Sequence, residues 1–92
     1  MTVKVRFFAR FRELFGTDIV IDAAPGTSFI DLITTIAEKN REGHDALFDI
    51  NGAFREFVIL MRNGRRIDCA DAGKTMINDG DEIAVFPPVA GG

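Results

Sequence analysis

Thr27-Ser28-Phe29-Ile30-Asp31-Leu32-Ile33-Thr34-Thr35-Ile36-Ala37 is a helix-forming stretch set among strands, and its place in the chain decides the fold. Phe29, Leu32, Ile33, Ile36 and Ala37 fall at i, i+3, i+4, i+7 and i+8, so one face seeks an apolar partner. Ser28 and Asp31 have capping-box spacing, with Asp in place of the preferred Glu. The acid also suits the positive end of the helix. Asn40 to Gly43 is expected to end the helix.

Before the helix lie two strands. Thr2-Val3-Lys4-Val5-Arg6-Phe7-Phe8 alternates, with Val3, Val5 and Phe7 on one face and Lys4, Arg6 and Phe8 on the other. Ala9 to Gly16 reads as a connection with room for one helical turn. Thr17 to Ala23 reads as a second strand, with Ile19 and Ile21 inward, broken by Pro25-Gly26. After the helix, His44 to Arg55 is the least readable stretch. Asp49-Ile50-Asn51-Gly52 resembles a turn, pinned by Phe48 and Phe54. Glu56 to Arg62 is apolar on both faces and is expected to be a central strand. Asn63-Gly64 signals a tight hairpin, from which Arg65 to Asp68 returns. Asp79-Gly80 is a turn, and Glu82 to Phe86 is the last strand, with Ile83 and Val85 inward and Phe86 outward. The order is strand, strand, helix, strand, short strand, strand. Two hairpins around one main helix on one face of a small mixed sheet give an α+β, β-grasp (ubiquitin-like) fold. Its first and last strands are expected to run side by side and parallel in the centre. Residues 1–86 are expected to form the domain and residues 87–92 a flexible carrier tail.

The chain has 92 residues, enough for a single small core and little private active site. Its formal net charge is −3, and no basic stripe suited to nucleic acid appears. Arg62 with Arg65 and Arg66 brackets the Asn63-Gly64 turn and reads first as a solvated hairpin tip. One cysteine, Cys69, excludes an internal disulfide and an iron–sulfur cluster. No run has signal-peptide order or membrane-spanning length, so a cytoplasmic protein is expected.

Enzyme-like groups are scarce. His44 is the lone histidine, set among polar residues with no second metal ligand beside it, so no metal site is expected. Cys69 is flanked by Asp68 and Asp71, which oppose a reactive thiolate, and a structural role is the better account. Asp79, Asp81 and Glu82 lack the spacing of a calcium loop and read as a hydrophilic turn. What remains is the chain's end. Phe86-Pro87-Pro88-Val89-Ala90-Gly91-Gly92 couples a stiff Pro-Pro step to bare backbone that can enter a narrow channel. Its reactive group would be the α-carboxylate of Gly92; an inert, disordered Gly-Gly tail is the plainer alternative. Phe8 and Phe86 should both point away from the helix, at the base of that arm. Paired exposed aromatics mark interaction surfaces.

Phe7-Phe8-Ala9-Arg10-Phe11-Arg12-Glu13-Leu14-Phe15-Gly16 and Asp79-Gly80-Asp81-Glu82-Ile83-Ala84-Val85-Phe86-Pro87-Pro88-Val89-Ala90-Gly91-Gly92 resemble the small, sulfur-carrier subunit of molybdopterin synthase and its MoaD/ThiS-like relatives. The likeness spans nearly the whole chain in element order, is specific at the two ends, and is vague between Glu42 and Phe57. It implies a non-catalytic carrier with no permanently bound cofactor. An adenylating partner related to ubiquitin-activating enzymes would use ATP to activate Gly92, with Gly91 entering the same channel. A sulfur donor would displace AMP and leave a thiocarboxylate. The synthase large subunit would then accept the tail and pass the sulfur to cyclic pyranopterin monophosphate. The resemblance further implies partner contacts by Phe86, Pro87, Pro88, Phe8 and Arg12, and no nucleic-acid or membrane partner. Arg62 departs from the family, in which an apolar residue commonly precedes the Asn-Gly turn. A ubiquitin-like modifier joined to lysines through Gly92, a thiamine-pathway sulfur carrier, and a β-grasp binding module with an inert tail remain the alternatives.

Overall fold

The alternation of the first strand sets the layers of the molecule. In the computed structural model, which describes residues 1–87, Val3, Val5 and Phe7 are fully buried. The intervening residues of strand β1 (Thr2–Phe7) stay on the outer face. The roles expected for Pro88, Gly91 and Gly92 lie outside the described residues. Strand β2 (Asp18–Asp22) pairs antiparallel with β1, placing Ile19 opposite Val5 and Ile21 opposite Val3. Strand β5 (Glu82–Phe86) runs parallel to β1 on its other side, with Val85 beside Phe7. Strands β3 (Ile59–Arg62) and β4 (Arg65–Ile67) complete a five-stranded mixed sheet in the order β2-β1-β5-β3-β4. The parallel β1–β5 pair at the heart of the sheet is the arrangement expected of a β-grasp fold.

Helix α2 (Phe29–Ala37) covers the inner face and buries all five residues of its apolar stripe. Ser28 caps it: the Asp31 N–H donates to Ser28 Oγ at 3.2 Å. A cap of this kind contributes about 1 kcal/mol. Ile83, Val85, Leu60 and Val58 meet this helix from the sheet in one continuous core.

Two expectations are corrected. Asn40 to Gly43 does not simply end a helix. It opens another, α3 (Arg41–Leu47), with Asn40 Oδ1 accepting from the Gly43 N–H at 3.0 Å. Asn and Gly commonly terminate helices, but here Gly43 serves packing. A Cβ at this position would run into the ring of Phe15 at the end of helix α1 (Arg10–Phe15). Asn40 Nδ2 also donates to the Leu14 carbonyl at 2.8 Å, and Arg10 pairs with Glu42 at 2.8 Å, so α1 and α3 are tied at two points.

The second correction concerns Glu56 to Arg62. Only Ile59–Arg62 is strand, though it is interior as expected, paired with β5 on one side and β4 on the other. Phe57 stands before the ladder begins and is 44% exposed. The loop ahead of it matches expectation. Phe48 and Phe54 are buried, bridged and 4.7 Å apart, and Asp49 Oδ1 accepts from the N–H groups of Asn51 and Ala53.

The Asn63-Gly64 turn has positive φ at both residues, 51° and 84°, which favours Gly at the second. Its tip is solvated as expected, with Asn63, Gly64, Arg65 and Arg66 exposed, but Arg62 at its base is no free surface charge. Arg62 Nη1 donates to the Met76 carbonyl at 2.8 Å and approaches Asp81 Oδ2 at 4.0 Å. Asp81 is 5% exposed, so it is no loose hydrophilic turn either. Its carboxylate accepts from Asn63 Nδ2 (2.9 Å) and from the Asn78 N–H (2.8 Å), while the Glu82 N–H donates to Asn63 Oδ1 (2.9 Å). A buried carboxylate held by several donors locks the β3–β4 hairpin to the start of β5. Among the described residues, no helix is long and apolar enough to cross a membrane.

Candidate functional site

The site is built where β5 ends. Glu82, Ala84 and Phe86 project from the outer face, because their neighbours Ile83 and Val85 are committed to the core. The Phe8 N–H donates to the Val85 carbonyl at 3.2 Å, which extends the β1–β5 pairing by one residue. Phe8 then lies flat on Phe86, with ring centroids 4.2 Å apart and planes 9° from parallel. The plainer possibility, Phe8 packed against the Ala9–Phe15 connection, gives way to this stack. Both rings remain half-exposed.

Holding Phe8 there requires a sharp reversal. The Phe11 N–H donates to the Phe8 carbonyl at 3.1 Å, and Ala9 takes φ 53° and ψ −125°. Non-glycine residues rarely occupy that region, and doing so costs on the order of 1–3 kcal/mol. The strain sits directly beside the aromatic stack.

Cross-strand neighbours widen the apolar surface. Ile59 pairs with Phe86 and Met61 with Ala84, so four further outer-face positions join Phe8 in one patch. Phe8, Met61 and Ala84 line a shallow depression of ≈ 170 Å³ rimmed by Lys4, Arg6, Asn63 and Glu82. The rim charges are paired: Lys4 with Glu82 at 3.7 Å and Arg6 with Asp18 at 2.8 Å. The hydrogen bond and charge of Arg6 hold the Asp18 carboxyl below its ordinary value, and Asp18 in turn raises Arg6.

A second apolar surface lies on the opposite side of the same chain exit. Ala9, Phe11, Ala46, Phe57 and Pro87 line a ≈ 500 Å³ groove with Arg10 and Arg55 at its edge. Phe57 and Ala46 escape a reading of local sequence. Phe57 resembles a strand residue, and Ala46 lies on a helix that composition hides. Their only signal is the leftover apolar character of a stretch that a strand does not absorb.

Of the expected contact residues, the structure brings together Phe8 and Phe86, while Pro87 lines the second groove. Arg12 is exposed on α1 and lines neither surface. Cys69 donates its thiol to the Val58 carbonyl at 3.1 Å, and burial pushes its pKa up. That is the environment of an unreactive, structural thiol. His44 stacks obliquely near Phe48, 5.1 Å between ring centroids, and lies 3.4 Å from Asp45. Among the described residues, no group of three or more His, Cys, Asp or Glu is placed to hold a metal ion. The arrangement offers an adhesive apolar surface where β5 ends.

The comparisons with known proteins agree with this geometry. The chain is 32% identical over 92 residues to small archaeal modifier protein 3 of Haloferax volcanii, covering 100% of both. It is 34% identical over 96 residues to the molybdopterin synthase sulfur carrier subunit of Escherichia coli, covering 98% of this chain and 99% of that one. The crystal structure of SAMP1 from Haloferax volcanii superposes with a TM-score of 0.86 at 24% identity over 100% of both chains, which speaks for the fold alone. The ThiS family model matches residues 5–92, and the chain belongs to that family of ubiquitin-like, sulfur-carrier β-grasp proteins.

Proposed function

We propose that this chain is the sulfur carrier of molybdenum- or tungsten-cofactor synthesis, and that Gly92 bears the cargo. A carboxylate is a poor electrophile. Attack by the Gly92 carboxylate oxygen on the α-phosphorus of ATP, with pyrophosphate leaving, converts it into a reactive mixed anhydride. A sulfur nucleophile then adds to the carbonyl and AMP leaves, giving the thiocarboxylate. On the synthase large subunit the sulfur passes to cyclic pyranopterin monophosphate, and water returns Gly92 to a carboxylate. The activating enzyme and the large subunit supply the catalytic groups, while residues 1–86 act as the recognition body and residues 87–92 as the leash.

The observation that carries this reading is the stacked Phe8–Phe86 pair, half-exposed on the helix-free sheet face at the end of β5. Gly92 lies six positions beyond Phe86, an extended reach of about 20 Å. A partner that grips the aromatic pair can therefore draw the terminus into a site well beyond the domain. The full-length match to a protein named as a molybdopterin synthase sulfur carrier subunit supports the pathway.

A second reading is favoured by one finding, the full-length match to a small archaeal modifier protein. In that case the same adenylate would be captured by a lysine amine of a target protein. Adding one alanine after Gly92 tests the carrier reading. Molybdoenzyme activity in the host should fall to the level of a strain lacking the gene, with the melting temperature unchanged; normal activity would overturn it. Lysine-linked conjugates found in the absence of any thiocarboxylate form would establish the modifier instead.

A further inference from the structure

We propose that the open edge of β2 is a docking site for an extended segment of a partner protein, alternately apolar and carrying an acidic residue. The ladder geometry supplies the backbone half of the site. The Ala23 N–H donates to the Met1 carbonyl at 2.7 Å and the Phe7 N–H to the Thr17 carbonyl at 3.0 Å. Odd-numbered residues of this segment therefore face β1. Antiparallel pairing alternates, so the N–H and C=O groups of Asp18, Val20 and Asp22 face outward at a sheet edge. An extended chain laid there gains main-chain hydrogen bonds from that edge.

Side chains supply the other half. Below the edge, Leu14, Phe15, Ile19, Ile21 and Ile36 line a ≈ 210 Å³ groove that ends at Lys39 and Asn40. Every second side chain of an incoming strand would enter this groove. The alternate ones would lie beside Val20, which is 65% exposed on the outer face. Lys39 is exposed and forms no ion pair among the described residues, so an acidic residue at that end of the segment meets an unopposed cation.

Charge also decides against a second copy of this chain. Two β2 edges paired antiparallel about Val20 would set Asp18 opposite Asp22 twice, and directly opposed like charges destabilise a strand pair. Flanking acids of this kind discourage edge-to-edge self-association while leaving the edge available to a segment that sets uncharged residues opposite Asp18 and Asp22 and carries its acid on the groove side, toward Lys39. This site lies at the sheet's β2 edge, whereas β5, which leads to the tail, is the middle strand; the site makes no use of Gly92.

The test is an amide-resolved NMR titration of the full chain with the blocked peptide acetyl-Asp-Thr-Val-Thr-Val-Thr-Asp-amide, which sets its valines and acids on the groove face and threonines opposite Asp18, Val20 and Asp22, and whose symmetry suits parallel and antiparallel approach. Saturable shifts confined to residues 18–22, 39 and 40, with a dissociation constant of about 1 mM or tighter, are expected. Val20→Pro should weaken binding at least tenfold. Its lost N–H faces outward, so the β1 ladder survives. Should that variant unfold, the same peptide N-methylated at alternate amides provides the equivalent loss on the native protein. Lys39→Glu should weaken the acidic peptide and favour one ending in Lys. Absence of shifts at several millimolar, or equal binding by Val20→Pro and the N-methylated peptide, overturns the proposal. So does sedimentation showing that the chain pairs with itself through this edge.

Discussion

Phe86→Ala separates a recognition surface from a core residue. Phe86 is buried only in part, so truncation forfeits roughly 1–2.5 kcal/mol of the roughly 1.5–3 kcal/mol that full burial of such a side chain provides. Loss of the parallel stack on Phe8, 4.2 Å between centroids, adds about 0.5–1.5 kcal/mol. The sum is about 1.5–4 kcal/mol, centred below the roughly 3–5 kcal/mol expected for a fully buried phenylalanine such as Phe7. In a domain of this size that is a drop in melting temperature of roughly 6–32 °C. Binding to the synthase large subunit should fall further, by about 2 kcal/mol or more, near 30-fold, since aromatic anchors dominate interfaces. Urea unfolding and calorimetric titration measure the two quantities. A double-mutant cycle with Phe8→Ala should return a coupling of about 1 kcal/mol. A stability loss above about 4 kcal/mol with unchanged affinity, or no coupling between the two rings, would refute the reasoning.

Other perturbations probe the framework. Ala9→Gly should stabilise the fold by about 1 kcal/mol in urea, because it relieves a positive φ that alanine tolerates poorly. Gly43→Ala should destabilise by about 1–3 kcal/mol, since its methyl group meets the Phe15 ring, and the loss should shrink when Phe15 is shortened to Leu. Asp18, held down by Arg6, contributes stability that is present above its ordinary value of 3.8 and lost as pH falls through its lower folded value. An Arg6→Gln variant should show a smaller loss across that acid range. Cys69 has a raised pKa, so its contribution is present below its ordinary 9.0 and lost as pH climbs through the raised folded value. At neutral pH it should react with iodoacetamide more slowly than cysteine in an unfolded control.

The sheet and its central helix were legible because their signals are periodic. Val3, Val5 and Phe7 alternate, and Phe29 to Ala37 repeats at helical spacing, so burial follows from pattern alone. The aromatic pair was legible too, as two outward positions on strands expected to be neighbours. Helix α3 was hidden because it buries only Gly43 and Leu47, and its glycine answers to Phe15, a residue far away in sequence. The roles of Arg62 and Asp81 were hidden for the same reason. Each looks like ordinary surface charge until the fold brings Met76, Asn63 and Asn78 alongside. Phe57 belongs to the tail-root groove through contacts that no local window contains.

The account rests on Gly92 being the atom-transfer terminus. Intact-mass spectrometry of the protein incubated with its host's adenylating enzyme, ATP and a sulfur donor tests this directly. The account predicts replacement of one oxygen by sulfur, lost again when Gly92 is removed. An unchanged mass despite an enzyme that is active on another carrier would contradict it.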